Sequence, residues 1–266
     1  MKLRSPFWKL VTYTLTIFSI LITSSFCIFP AQKGWAIVAE PVTLISSNGG
    51  ARYNPPLVSS SGGSPTGRRE GAGSSGTCQI GSYPGTPAPR AHLVALVPVE
   101  SGENTTNVWG RTTVDRPTLW FYVAYQNNPE GELVLQDDTG ETIGLFSRSL
   151  GETSGIVAFK LPRTNKSLED ERLYHWFFKI RCNPQGSTDD FVEGWIQKVQ
   201  LNSQPQSQSA GYFAENGVWY DALNSAIDNR SSCPLGRVSS PAWSELLQQV
   251  NLSALSDVPI TQCDED

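Results

Sequence analysis

The stretch LYHWFFKIRC, residues 173–182, alternates between apolar and polar side chains with a period of two. One face of an extended chain here is apolar and consists of Tyr174, Trp176, Phe178, Ile180 and Cys182. The opposite face carries His175, Lys179 and Arg181. Because successive side chains of a β-strand point to opposite faces, this pattern predicts an antiparallel strand with its aromatic face inward.

Similar short stretches surround this strand, and turn residues separate them. Together they give seven predicted strands, at 92–98, 118–125, 131–137, 141–148, 155–161, 173–182 and 190–200. Seven short strands in about 110 residues predict a mainly β fold, an immunoglobulin-like antiparallel β-sandwich. A closed barrel is the alternative.

The stretch PTLWFYVAYQ, residues 117–126, is rich in aromatic side chains and has no charged residue. Exposed aromatic faces often bind sugars, so a carbohydrate-binding surface has to be considered. In TLWFYVAY, however, both faces of the strand are apolar, and such a strand is usually covered on both sides. We therefore expect a central strand with Trp120 buried.

The first 36 residues have the pattern of an export signal, in which a basic head precedes an uncharged, mostly apolar stretch at 10–29. Small residues place cleavage after Ala36, with Ala39 as the alternative. An uncleaved membrane anchor is the competing interpretation, because about 20 apolar residues can span a bilayer.

The next segment, 37–77, is predicted to be a flexible tether, since 46–77 contains 19 Gly, Ser or Pro residues among 32 positions. The β-sandwich domain then covers 78–201. Without its first 36 residues the chain has 16 basic and 25 acidic residues, a net charge of −9. This charge argues against nucleic acid as a partner, and against membrane contact beyond the export signal.

A second linker at 202–210 precedes a change to helical periodicity. Two apolar stripes follow, one from Trp219 to Ile227 and one from Trp243 to Val250. Ser240 and Pro241 have the pattern of a helix start. Short helices cannot bury such stripes alone, so 211–266 is predicted to be a helical appendage that packs on the sandwich.

Four cysteines remain after the predicted cleavage site: Cys78, Cys182, Cys233 and Cys263. An even number behind an export signal favours two disulfides over free thiols or a metal site. Cys233 and Cys263 flank the second helix, so we pair them, which leaves Cys78 with Cys182. Three pairings are nevertheless possible for four cysteines.

Little in the sequence indicates catalysis. His92 and His175 lie in predicted strands, and no GxSxG motif occurs. Three groups of acids at turns or loops could act in catalysis or bind calcium: Asp137 with Asp138, Asp189 with Asp190, and Glu169, Asp170 and Glu171. Glu193 and Asp221 are further acids that a hydrolase site could use. Turn acids are usually solvated, so no catalytic, cofactor-binding or metal-binding residue is predicted.

Several strand motifs, taken in order, resemble a known family: PTLWFYVAY, ELVLQDDTGETI, GIVAFKLP, LYHWFFKIRCNP and DDFVEGWIQKV. The chain is similar over about 73–263 to the cyanobacterial domain of unknown function 928 family, DUF928. GVWYDAL and AWSELLQQVNL resemble the region that often follows. The resemblance implies an exported protein and lends no catalytic residue.

We therefore expect an exported protein, periplasmic or on the cell surface, that is a non-catalytic binding module. Its partner would be an envelope protein or polysaccharide. The alternative is a carboxylate-dependent hydrolase of envelope polysaccharide, which requires two of the acids to meet in one cleft.

Overall fold

The computed structural model of the 266-residue chain describes residues 50–57, 64–73, 78–81, 91–102, 105–161, 167–183, 190–201, 209–227 and 235–263. Twelve strands lie in these ranges: β1 (Gln79–Ile80), β2 (Leu93–Ala95), β3 (Val99–Ser101), β4 (Thr106–Thr112), β5 (Thr118–Val123), β6 (Tyr125–Gln126), β7 (Glu130–Gln136), β8 (Thr142–Ser149), β9 (Gly155–Lys160), β10 (Leu173–Arg181), β11 (Asp190–Lys198) and β12 (Ile260–Gln262). Three α-helices follow β11: α1 (Ala210–Glu215), α2 (Trp219–Ala226) and α3 (Pro241–Gln249). A 3-10 turn, Ser253–Leu255, precedes β12.

The strands form three sheets. The largest has the order β3-β4-β11-β10-β7-β8, a second has the order β12-β9-β5-β2, and β1 pairs with β6. All seven predicted strands are present, but the described residues contain twelve strands, more than the seven predicted. The described strands form open sheets rather than the closed barrel. Two pairs, β4 with β11 and β9 with β12, are parallel, whereas an all-antiparallel arrangement was expected.

The two larger sheets face each other across an aromatic core. Phe121 of β5 stacks on Phe178 of β10 with ring centroids 4.0 Å apart, and its ring edge meets Trp176 at 5.7 Å. Phe159 of β9 packs against Phe178 at 4.8 Å. These contacts explain the alternation of residues 173–182, because its aromatic members fill the space between the sheets.

The opposite face of β5 is covered by helices. Trp120 is buried, as predicted. Its ring lies edge-on to Trp243 of α3 at 6.1 Å, and its N–H donates to Asn224 of α2 at 2.6 Å. Trp219 of α2 donates in the same way to the Leu96 carbonyl at 2.9 Å. Helix α2 also packs on β4 of the six-stranded sheet, where Gly110 lies against Trp219 and Tyr220. The aromatic stripes of the helices thus cover β5 and part of β4.

The helical segment differs in detail from the prediction. The additional helix α1 begins at Ala210, one residue before the predicted boundary, and Ser209 caps it by accepting from the Tyr212 N–H. Residues 202–208 of the predicted linker lie outside the described residues, as do 1–36 with the export signal. In the described ranges, no helix combines the length and apolar character that a membrane crossing requires.

The tether predicted over 37–77 requires correction, because two of its parts pack against the fold. In 50–57, Ala51 is buried and donates its N–H to Glu245 of α3 at 2.8 Å, and Tyr53 packs edge-on against Trp219 at 5.0 Å. The second part is residues 64–72, here called the strap. Backbone pairing can fix a segment that has hardly any apolar side chains, and composition does not reveal such pairing.

The strap joins the two larger sheets. Thr66 bridges to Asn107 of β4 and Arg68 to Glu193 of β11, so this end of the strap lies between two strands of the six-stranded sheet. Further along, Glu70 bridges to Val94 of β2 in the four-stranded sheet. The folded part of the chain therefore begins well before Cys78.

Candidate functional site

The outward face of the six-stranded sheet carries aromatic side chains that the inner core does not use. Along β10 and most of β11 buried residues alternate with partly exposed ones, and the partly exposed set includes Phe177, His175 and Trp195. We call these three side chains the outer aromatic row. His175 lies directly opposite Trp195 in the β10–β11 register, so both emerge on the same face.

The three rings form a continuous stack. The imidazole of His175 is nearly parallel to the indole of Trp195, at 6° with centroids 4.2 Å apart. Its other neighbour, Phe177, is tilted by 41° at 4.1 Å. Stacked rings with one edge in water form a rigid apolar surface that loses little conformational freedom on binding a partner.

A carboxylate adjoins this stack. Glu193 of β11 lies opposite Phe177 in register, and its Oε2 is 3.1 Å from Nε2 of His175. Burial lowers the pKa of His175, and the nearby Glu193 carboxylate opposes that change. The imidazole is therefore mainly neutral at pH 7, and the pair becomes an ion pair only when His175 takes up a proton.

The strap holds the other end of the row in place. The indole N–H of Trp195 donates to the Thr66 carbonyl at 2.8 Å. The Arg68 guanidinium lies 3.7 Å from the centre of the Phe191 ring and donates to the Phe191 carbonyl at 2.7 Å. Between them Gly67 comes so close to β11 that an added Cβ would lie 2.6 Å from the Glu193 carbonyl oxygen. Only glycine fits this crossing without a backbone shift.

Ion pairs border the row along β10 and β7. Glu132 is buried and accepts from Arg181 at 2.8 Å and from Lys179 at 3.4 Å. Arg181 also lies 3.8 Å from Glu130. An apolar centre beside charged groups is the usual anatomy of a binding surface.

The described acidic residues considered for catalysis take part in hydrogen bonds or ion pairs, and Asp190 and Asp221 do so on different elements. Asp190 accepts from the Tyr125 hydroxyl at 2.8 Å and from the Ala72 N–H at 3.1 Å, which fixes the end of the strap. Asp221 of α2 accepts from the Thr112 hydroxyl at 2.6 Å and from the Thr113 N–H at 2.8 Å. Burial raises the pKa of Asp221, while these hydrogen bonds oppose the rise.

The remaining candidate acids have turn or ion-pair roles. Asp137 accepts from the N–H groups of Thr139 and Glu141, at 3.0 and 3.1 Å, and so closes the β7–β8 turn. Arg172 pairs with Asp138, and with Glu169 at 2.9 Å. Asp170 pairs with Lys198 at 3.2 Å, and the Glu171 N–H donates to the Lys198 carbonyl. Asp189 lies outside the described residues.

His92, the other histidine, lies just before β2, and its ring is edge-on to that of Tyr125 with centroids 6.0 Å apart. The described residues contain no group of three His, Cys, Asp or Glu side chains that could hold a metal ion.

Among the cysteines, a disulfide joins Cys78 to Cys182, with 5.1 Å between the Cα atoms. This is one of the two pairs assigned from the sequence. Cys263 is also disulfide-bonded. Cys233, the partner assigned to it, lies outside the described residues.

Sequence reasoning named His175 but overlooked Phe177, Trp195 and the strap. A signal for Trp195 existed, because DFVEGWIQKV places Phe191, Glu193 and Trp195 on one face of a strand. Periodicity shows which side chains share a face, but not which face of a sheet stays uncovered.

Comparison with known proteins gives one firm result. A search of curated proteins found no match. Among solved structures, the crystal structure of the C-terminal domain of wzt is similar at 11% identity and a TM-score of 0.25, over 48% of this chain and 92% of that one. A TM-score this low does not establish a shared fold. The model of the family described as Domain of Unknown Function (DUF928) matches residues 68–260, well over half of the chain. The protein therefore belongs to the DUF928 family.

Proposed function

We propose that this protein is a non-catalytic binding module of the cell envelope and that the outer aromatic row contacts an envelope polysaccharide. One observation carries the proposal: Phe177, His175 and Trp195 remain partly exposed on a sheet face, whereas Trp120, Phe121 and the other aromatic residues of β5 are buried on both faces.

The chemistry of the surface supports a polysaccharide ligand. Ring edges and faces offer apolar contact to the C–H groups of sugars, while Glu193, Lys179 and Arg181 beside them offer hydrogen bonds to hydroxyl groups. The surface is an open sheet face rather than an enclosed pocket, and such a shape suits an extended chain better than a small molecule.

Export to the periplasm or the cell surface is part of the proposal. The Cys78–Cys182 disulfide is compatible with an oxidising compartment, where such bonds persist. The pattern of residues 1–36 provides the sequence argument.

We also propose the finer description of the fold as an immunoglobulin-like sandwich. It is supported by the face-to-face contact of the two larger sheets through Phe121 and Phe178. The parallel pairs β4–β11 and β9–β12 would then be departures from an all-antiparallel plan.

The test is an affinity measurement with a glycan array and polysaccharide fractions from bacterial envelopes. Phe177→Ala removes one ring of the outer aromatic row and leaves the buried face of β10 unchanged, so it should weaken binding by about tenfold or more. Val114→Ala removes an exposed apolar side chain elsewhere, on the loop after β4, and serves as the matched control.

Equal affinity of the Phe177→Ala and Val114→Ala variants would contradict the proposed surface. An array and polysaccharide fractions that stay blank, while the protein captures only proteins from envelope extract, would contradict the proposed ligand class.

A further inference from the structure

The outer edges of the two larger sheets differ in how they are protected. An exposed sheet edge presents unpaired N–H and C=O groups, and proteins usually shorten or cover such edges. Three of the four edges follow this rule. Strand β3 has only three residues, Gly236 bridges to Ile260 of β12, and the strap bridges to β2 at Val94.

Strand β8 is the exception. It has eight residues, and among the described strands it pairs only with β7. It contains no proline or lysine, the residues that often guard an edge. At the end of β8, the Gln262 amide donates to the Ser149 carbonyl at 3.0 Å, and Arg148 donates to the Ala158 carbonyl. The stretch 142–147 is left with its edge open in the described structure.

The side chains of β8 favour association rather than repulsion. Leu145 is 58% exposed, and it continues a cross-strand apolar row through Val134 of β7 to Phe177 of β10. The strand itself carries no acidic residue, so the negative charge of the chain is not concentrated at this edge. Its one cation, Arg148, points inward and lies 4.2 Å from the centre of the Phe159 ring.

We propose that β8 pairs antiparallel with β8 of a second copy of this chain, which would join two six-stranded sheets into one across a two-fold axis. Two-fold dimers are the most common symmetric oligomers, and their interface uses the same patch on both copies. The proposal goes beyond the binding function and does not depend on any ligand of the outer aromatic row.

Symmetry restricts the register of this pairing. Residue pairs along an antiparallel ladder alternate between hydrogen-bonded and non-hydrogen-bonded types. A two-fold axis that relates the two strands must therefore lie midway between one residue and the same residue of the second copy. If the axis lies at Leu145, Leu145 of one copy faces Leu145 of the other, and Ser147 of each copy faces Ile143 of the other. The most exposed apolar side chain of β8 is then covered, and the apolar row runs on into the second sheet.

Cysteine cross-linking of the full chain tests both the partner and the register. In Leu145→Cys the two introduced cysteines would face each other across the axis, within reach of a disulfide. Val114→Cys is the matched control, since Val114 is 45% exposed and lies outside β8. We expect covalent dimers of Leu145→Cys to form about tenfold faster than those of Val114→Cys.

A second variant measures association without cross-linking. Leu145→Lys places a charge at the centre of the edge and should raise the dimer dissociation constant by about tenfold or more. Light scattering after size exclusion gives the mass, and circular dichroism checks that the variant is folded. A monomer at every concentration, or equal cross-linking of the two cysteine variants, would overturn the proposal. Pairing of β8 only with a different protein would overturn it as well.

Discussion

His175 is the side chain in the candidate site whose charge can change near neutral pH. Burial between Phe177 and Trp195 lowers its pKa below the ordinary value of 6.5. The folded protein therefore binds this proton less tightly than the unfolded chain does. The stability linked to His175 is present above pH 6.5 and is lost as the pH falls through the pKa of the folded state.

We expect His175→Gln to reduce the loss of stability between about pH 7.5 and pH 5, a window above the range in which ordinary carboxylates titrate. Urea unfolding at several pH values measures it for both proteins. His92 is present in both proteins, so it does not contribute to the difference between their pH profiles. Parallel pH profiles would show that the environment of His175 is not as described.

Trp120 provides a second prediction at the scale of one residue. Its ring is 5% exposed and contacts Trp243, and its N–H is bonded to Asn224. Truncation of such a residue leaves a cavity, so Trp120→Ala should lower the free energy of unfolding by about 3 to 5 kcal/mol. Val114→Ala should change it by less than about 0.5 kcal/mol, because Val114 is exposed. A small effect of Trp120→Ala would restore the interpretation of this strand as a binding platform.

At the scale of elements, the strap is the least expected feature. It passes between β4 and β11 and then reaches β2, so its backbone hydrogen bonds connect both larger sheets. Arg69 donates to the Val250 carbonyl at the end of α3 at 2.7 Å, and burial lowers the pKa of its guanidinium. A cation at a helix C-terminus is favourable, so this contact ties the strap to the helices as well.

The strap can be tested with two glycine substitutions. Gly67→Ala would place a Cβ 2.6 Å from the Glu193 carbonyl oxygen, so it should lower the free energy of unfolding by about 1 to 3 kcal/mol. Gly211→Ala is the matched control, because the new Cβ meets no atom within 4 Å and lies in α1. It should stabilise the protein by up to about 1 kcal/mol. Denaturant unfolding measures both, and an unchanged Gly67→Ala protein would argue against the crossing.

The elements differ in how far the sequence foretells them. Strand β5 could be predicted because both of its faces are apolar, which is typical of a strand covered on both sides. Strand β10 could be predicted because its apolar and polar residues alternate, which is typical of a strand covered on one side. Strand β4 was missed because TNVWGRT is largely polar and contains Gly110, whose lack of a side chain makes room for Trp219 and Tyr220. The strap was missed because backbone pairing leaves no apolar pattern. The outer aromatic row was recognised only in part, since coverage of a sheet face depends on distant segments.

On the scale of the whole molecule, one group of aromatic residues packs the core and another forms the outer aromatic row. Phe121, Phe178 and Trp176 join the sheets, and Trp120 and Trp243 join one sheet to the helices. The side chains of the outer aromatic row are not among the residues of this core. The outer aromatic row is therefore not needed to close the core, and this separation is the main support for a binding role.

Hydroxyl-radical footprinting of the protein, with and without an envelope polysaccharide fraction, tests the binding role most directly. Mass spectrometry reports the oxidation of Phe177, His175 and Trp195 separately from that of the exposed Leu57, which serves as the internal reference. We predict that the polysaccharide protects the three row residues and leaves Leu57 unchanged. Oxidation of Phe177 and Trp195 that is the same with and without every fraction tested would contradict the proposal that the outer aromatic row binds polysaccharide.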